Sequence, residues 1–210
     1  MSTLLHIDSS PLGDASISRH LSAEFVKSWK EANPEGEIIV RDLSATSIPP
    51  LDGAWVGAVY TPAESRTAAQ NEKIALSDEL IGELETASEW VIGVPMHNFS
   101  VPSTLKLWID QVVRAGRTFS YGEAGPVGLL KGKKITFLVA SGGVYSKGTP
   151  MASYDFVEPY LRALFGFLGI TDLDFVVAGG VSAVMSGKAD RATFLKPFDE
   201  AIDSRFQAAA

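Results

Sequence analysis

Residues 95–99 read Pro-Met-His-Asn-Phe and stand between an apolar run ending at Val94 and a second proline, Pro102. His97 carries an imidazole able to donate or accept a proton, Asn98 carries both a donor and an acceptor, and Phe99 offers a flat apolar face. With prolines on either side restricting the backbone, that set suits the edge of a flat polar heterocycle. The plainer reading is a chain turn in which His97 is an ordinary loop residue. A second segment runs from Asp8 through "SSPLGDASIS" (9–18) and places Ser9, Ser10, Ser16 and Ser18 around Gly13, directly before a helical pattern. Hydroxyls and backbone N–H groups at a helix start point the same way as its dipole and suit a phosphate. Neither G-x-x-x-x-G-K-[ST] nor G-x-G-x-x-G is present, so a single phosphate monoester fits best. The alternative is that Ser16 only caps a helix within a hydrophilic turn. The third segment, "ASGGVYSKGTP" (140–150), follows an apolar run. Gly142 and Gly143 permit either close backbone approach to a ring or positive φ values, and Tyr145 is placed to cover a ligand. Read alone, it is also an ordinary glycine turn. His6 and His20 give no zinc spacing, and no metal site is expected.

These segments need elements to hold them. Strand-length apolar runs occur at 3–8, 37–43, 90–95, 135–141 and 173–180. Helical patterns lie at 17–32, where Leu21, Phe25 and Trp29 share one face, and at 71–87, 103–115, 155–170 and 188–206. Ser103 after Pro102 is the expected N-cap of its helix, Pro159 suits a first turn or a kink, and Pro197 suits a kink or a split. Five strands alternating with five helices predict an α/β fold, a parallel sheet covered on both faces. In the flavodoxin-like order 2-1-3-4-5, strands one, three and four are neighbours, and ligands bind beyond their carboxyl ends at the switch point. The first loop then takes a phosphate and the other two take a ring, an arrangement that frames a flavin. The stretch 44–71, with Trp55 and Tyr60, is too long for a plain loop. It reads equally as a surface excursion or as a dimer-contact or site-covering segment. With no internal repeat and no boundary, 1–210 is expected to be a single domain with excursions at about 44–71 and 117–133.

Composition removes whole classes of function. The chain has 18 basic and 25 acidic residues, a net charge of −7, and no basic run, so a nucleic-acid footprint is absent. It has no cysteine, hence no disulfide, thiolate metal site or cysteine nucleophile, which fits a reducing compartment. The first residues lack the pattern of a targeting peptide, and no run of about 18 apolar residues could span a membrane. A soluble cytoplasmic protein is expected.

Over nearly its full length the chain resembles the FMN-dependent NADH:azoreductase/quinone reductase family of the flavodoxin-like superfamily, three-layer α/β/α sandwiches. The resemblance is carried by "SSPLGDASIS", "VRDL", "IPPLDG", "LSDELIGEL", "PMHNFSVPSTLKLWIDQVVRAGRTFSYGEAGPVGL", "GKK", "ASGGVYS" and "PYLRALFGFLGI". It implies that the FMN phosphate is held by Ser10, Ser16, Ile17 and Ser18. It implies that the isoalloxazine ring is held by Pro95, Met96, His97, Asn98 and Phe99, with Ala140, Ser141, Gly142 and Gly143 on its other side. The family often has Tyr at the position of His97, and some members have Arg at that of Ser141; backbone contacts survive both changes. Family members are homodimers with sites at the subunit interface, so Phe119, Tyr121 and Phe167, with Tyr145, are expected to wall a substrate pocket. For Phe119 and Phe167 an ordinary core position is the competing reading. The implied activity is two-electron reduction of quinones and azo compounds at the expense of NADH or NADPH, with ping-pong kinetics and no catalytic side chain beyond the flavin. His97, Tyr145 or water are the candidate proton sources, and Arg117, Lys131, Lys133 and Lys134 the basic residues nearest the pocket in sequence. The alternatives are a non-catalytic flavodoxin-like electron carrier, an FAD-dependent quinone reductase, and a scaffold that has lost its flavin.

Overall fold

The computed structural model describes residues 2–123 and 125–207; Met1, Ala124 within the 117–133 excursion, and residues 208–210 lie outside the described residues. Strand β1 (Thr3–Asp8) buries Leu4, Leu5 and Ile7 completely, because a parallel strand covered on both faces has no solvent side. The chain then turns through 9–16 into helix α1 (Ile17–Ala32), where the Ser16 side chain accepts from the Arg19 N–H at 3.3 Å. Leu21, Phe25 and Trp29 form the buried stripe expected from their spacing. Burying each stabilises the fold by roughly 2 kcal/mol or more.

Strand β2 (Glu37–Asp42) lies at one edge of the sheet. The 44–71 excursion contains a helix, α2 (Gly53–Tyr60), started by Asp52 accepting from the Trp55 N–H at 2.8 Å. Trp55 is buried and donates its indole N–H to Gln111 Oε1 at 2.9 Å, which fastens the excursion to the flank of the molecule. Helix α3 (Ala68–Thr86) follows a Thr67/Gln70 capping box, and strand β3 (Glu89–Pro95) leads to helix α4 (Ser103–Val112). Pro102, not Ser103, stands at the N-cap; Ser103 is already helical and makes no capping bond. The 117–133 excursion holds a small antiparallel ribbon, β4 (Phe119–Gly122) and β5 (Gly125–Gly128). Strands of four residues with glycine at their ends carry no readable alternation, so nothing in their residue types announces them. Strand β6 (Lys134–Ser141), helix α5 (Glu158–Phe167), strand β7 (Asp172–Gly179), the short helix α6 (Ser182–Met185) and helix α7 (Arg191–Gln207) complete the chain. Pro159 sits in the first turn of α5, and Pro197 lies inside an α7 that continues unbroken through it.

The main sheet runs β2-β1-β3-β6-β7, all parallel, which is 2-1-3-4-5 counted within the sheet. One core layer gathers side chains of α3, α4 and α5; the other gathers those of α1 and α7. Register places Asp8 beside Gly93 and Pro95 beside Ala140, so the carboxyl ends of β1, β3 and β6 finish level with one another. Among the described residues, no helix is long and apolar enough to cross a membrane.

Candidate functional site

The loop after β1 supplies unpaired donors. Ser10, Ser16 and Ser18 are all buried, and the Ser16 and Ser18 hydroxyls lie 3.1 Å apart. Because Ser16 Oγ is taken by the third amide of α1, the first two, Ile17 and Ser18, have no protein acceptor among the described residues. The capping and phosphate readings of Ser16 are therefore compatible. The loop is braced from beneath by Arg19, whose Nε donates to the Ser10 carbonyl at 2.8 Å and whose Nη2 donates to Asp42 Oδ1 at 2.6 Å and Ser44 Oγ at 2.8 Å. The Arg19 hydrogen bond holds the Asp42 carboxyl at about 2, below its ordinary 3.8. Asp8, 3.5 Å from the same guanidinium, accepts from the Ser22 hydroxyl at 2.7 Å.

The loop after β3 is a tight reversal. The His97 N–H donates to the Ser100 carbonyl at 2.9 Å and the Ser100 N–H to the His97 carbonyl at 3.0 Å. Asn98 and Phe99 between them have φ of +50° and +69°, the two left-handed positions of a type I′ turn. Asparagine tolerates that region, but phenylalanine there carries roughly 1 kcal/mol or more of strain. Strain of this kind persists where surroundings impose it, and it gathers at functional sites. Here the Phe99 carbonyl accepts from the Phe156 N–H at 3.1 Å, while the Asn98 and Phe99 N–H groups find no acceptor among the described residues.

The loop after β6 is fixed by a turn absent from the sequence reading. Gly180, Val181 and Ser182 donate their N–H groups to the carbonyls of Gly143, Ser141 and Gly142 at 3.0, 3.0 and 3.2 Å. Neither Gly142 nor Gly143 has positive φ, so a left-handed backbone is not what these glycines supply. Space is tight at both: a Cβ on Gly142 would lie 2.8 Å from Ser182 Oγ, and one on Gly143 would lie 3.0 Å from the Tyr145 hydroxyl.

Together these loops enclose a cleft of about 700 Å³. Of the expected flavin-holding residues, Ser10, Ser16, Ile17, Pro95, Met96, His97, Ala140, Ser141 and Gly142 line it; Ser18, Asn98, Phe99 and Gly143 stand beside it without lining it. Leu12, Ala15, Val181, Val184, Met185 and Arg191 also line it. The last four come from a region about 40 or more residues past the third expected loop's glycines, and no local motif marks them. The free donors, the buried hydroxyls and a lining without a carboxylate among the described residues suit a phosphate-bearing flavin, and the volume is that of an ordinary ligand pocket.

Tyr145 lines a second cavity of about 560 Å³, which shares Met96 and Ser141 with the first. Its ring lies 6.0 Å from that of Phe99, and Tyr154 lies 5.1 Å from Phe99 on another side, so this aromatic wall contains a residue missing from the sequence reading. Phe119, Tyr121 and Phe167 also meet, at 5.5 and 4.8 Å from Phe119, but they do so at the opposite end of the sheet. The ribbon bearing Phe119 and Tyr121 leads to Leu130, which bonds to the Leu168 carbonyl beside the amino ends of β6 and β7. The eight residues of β6 put about 25 Å between that end and the cleft. Within one chain these aromatics do not wall the site. Phe119 is a core residue, whereas Tyr121 is 75% exposed and Phe167 38%. The nearby basic residues are also remote: Arg117 pairs with Asp78 and Glu85, and Lys133 donates to the carbonyls of Glu85 and Ala87.

Comparison with known proteins identifies the family. A family model described as a flavodoxin-like fold matches residues 2–202. The FMN-dependent NADH:quinone oxidoreductase of Acidobacterium capsulatum is 55% identical over 94% of this chain and 95% of its own length. FMN-dependent NADH:quinone oxidoreductase 3 of Burkholderia lata is 48% identical over 98% of this chain and all of its own. The crystal structure of an FMN-dependent NADH-azoreductase from Bacillus anthracis in complex with FMN superposes with a TM-score of 0.87 at 29% identity, covering the whole of both chains. By family model, by relatives and by sheet order, this chain belongs to the flavodoxin-like family of FMN-dependent NADH:quinone oxidoreductases and azoreductases.

Proposed function

We propose that this protein is an FMN-dependent NADH:quinone oxidoreductase that also reduces azo compounds. The observation that carries the proposal is one cleft, at the switch point of the sheet, lined by the start of α1 at Ser16 and Ile17 with its unpaired amide, by Pro95, Met96 and His97, and by Ala140, Ser141 and Gly142. Bound FMN supplies the redox chemistry, accepting hydride from a nicotinamide and delivering two electrons to the acceptor. The Ser10, Ser16 and Ser18 hydroxyls and the Ile17 and Ser18 amides hold its phosphate. The 95–99 loop holds one edge of the ring, and the 140–143 loop holds the other side. Phe99, Tyr145 and Tyr154 present flat apolar surface on which nicotinamide and acceptor stack in turn, so one pocket serves both and the kinetics are ping-pong.

The functional unit is a homodimer. Exposed apolar side chains occur at both ends of the sheet, Phe99, Tyr154 and Phe156 beside the cleft, and Tyr121, Val127, Leu129 and Phe167 at the far end. A two-fold interface pairing one end with the other closes each cleft with the partner subunit's Tyr121 and the partner subunit's Phe167. NADH is the donor by analogy with the relatives' names, and the expected location is the cytoplasm.

The test is an absorption spectrum of the purified protein. Bands of oxidised flavin that bleach on adding NADH and return on adding a quinone or azo dye support the reading. Slow or absent recovery points instead to an electron carrier, and extraction of FAD to the other class of quinone reductase. A colourless protein that takes up no FMN overturns the proposal.

A further inference from the structure

Among the described residues, Arg191 is the one permanently charged side chain lining the cleft, and no local pattern in the sequence predicts it there. It is the first residue of α7, a position where the helix dipole disfavours a cation, so its charge does not serve its own helix. Asp190 starts that helix by accepting from the Thr193 N–H at 2.8 Å, which aims Arg191 back across the molecule at the loop after β1. There its Nη1 donates to the Ala15 carbonyl at 2.9 Å, and its Nη2 donates to the carbonyls of Asp14 at 3.2 Å and Ser16 at 3.3 Å. Three consecutive carbonyl oxygens are thereby gathered onto one cation. A carbonyl left turned into the cleft would repel an anion. The Ser16 carbonyl also accepts from the His20 N–H of α1 at 3.3 Å, so it is the Asp14 and Ala15 carbonyls that depend on the guanidinium; drawn toward it, they leave the unpaired Ile17 amide facing the cleft.

Building on the flavin reading above, the geometry points to Arg191 as the phosphate-selecting residue of the site. It holds the Asp14 and Ala15 carbonyls away from the phosphate and places a full positive charge beside it, a task performed by the C-terminal helix and not by the serine loop. The serine loop contains no lysine or arginine between Asp8 and Ser18, so the dianion otherwise meets only hydroxyls, amides and the dipole of α1. The consequence is a ligand preference: Arg191 favours FMN over riboflavin, whose ring and ribityl chain are the same and which lacks the phosphate.

The experiment compares FMN and riboflavin binding to the flavin-free full-length chain, by quenching of flavin fluorescence, in the wild type, Arg191→Met and Arg191→Lys. Arg191→Met is expected to weaken FMN by about ten- to a hundredfold, the effect of losing one charge-assisted contact, with riboflavin changed by less than about twofold. Arg191→Lys keeps the charge without the fork and falls between. Unchanged FMN affinity, or equal losses for both ligands, overturns the inference. Should Arg191→Met fail to fold, the wild type still decides: the Arg191 guanidinium NMR signals are expected to shift on titration with FMN and to stay in place with riboflavin, and no difference refutes it. A wild type that binds neither flavin sinks the functional reading itself, whereas FMN binding indifferent to Arg191 sinks only this inference.

Discussion

Replacing Gly93 by alanine adds one methyl group at the centre of the machinery that holds the loop after β1. Gly93 lies in β3 opposite Asp8, and its carbonyl accepts from the Ser9 hydroxyl at 2.7 Å. A Cβ there would lie 2.7 Å from Asp8 Oδ1 and 3.2 Å from the Ser18 carbonyl, both inside ordinary contact distance. Asp8 cannot yield freely, because the same oxygen accepts the Ser22 hydroxyl at 2.7 Å and its partner oxygen lies 3.5 Å from Arg19. The Ser18 carbonyl belongs to the first turn of α1 and can move only with the helix. Overpacking of a buried site costs about 1–3 kcal/mol, and loosening a buried hydrogen bond adds about 1 kcal/mol. A total of roughly 2–4 kcal/mol lowers Tm by on the order of 10 °C in a domain of this size. Displacing the first turn of α1 is also expected to weaken FMN by about tenfold, equivalent to about 1.4 kcal/mol. The control is the same substitution in α3, Gly82→Ala, where a Cβ meets nothing within 4 Å. A helix-interior glycine costs about 0.5–1 kcal/mol relative to alanine, so that variant is expected to be more stable by this amount. Thermal and urea denaturation of both variants, with FMN titration by fluorescence, gives the comparison. A Gly93→Ala protein as stable as the wild type, or the two variants moving in the same direction, would refute the reasoning.

Three further outcomes are expected. Ser16→Ala removes the cap of α1 and one cleft hydroxyl, costing about 0.5–2 kcal/mol in the flavin-free protein by denaturation and more in the presence of FMN. The Asp42 carboxyl titrates at about 2 instead of 3.8, and with its side chain 34% exposed, screening leaves about 1 kcal/mol of the raw linkage. Because the folded value is the lower one, that stability is fully present above about pH 4 and is lost as pH falls through about 2. The stability gap between wild type and Asp42→Asn should therefore narrow over that window, and a gap that widens contradicts the pairing. Tyr121→Ala is expected to leave FMN content unchanged while lowering kcat/KM for an azo dye about three- to tenfold, the effect of one lost aromatic contact of about 0.5–1.5 kcal/mol. An unchanged kcat/KM at unchanged flavin content would place Tyr121 elsewhere than in the substrate pocket.

Local chemistry written in short stretches determined much of this protein. The four-residue spacing of Leu21, Phe25 and Trp29 specifies a helix face whatever lies beyond it, and apolar runs such as "TLLHID" specify buried strands because they leave no polar side. Ser16 as a cap, and the serine, "PMHNF" and "ASGG" segments as candidate ligand loops, depend on residues within a few positions of one another. Sheet order then followed from the alternation of elements and the resemblance together.

Only the tertiary structure decided what reaches those loops from afar. Arg191 lies 175 residues or more beyond the carbonyls it gathers, and Val181 and Met185 join the cleft because β7 ends level with β6. Phe156 supports the strained Phe99 through a backbone bond that leaves no mark on residue type. The far-end aromatics show the converse: Phe119 follows the 95–99 loop closely in sequence, but α4 carries the chain back down the sheet before it arrives, so within one chain it lies away from the cleft. Side-chain spacing specifies which face of an element is apolar. Which elements share an end of the sheet is set by chain reversals and register, which local residue patterns do not encode.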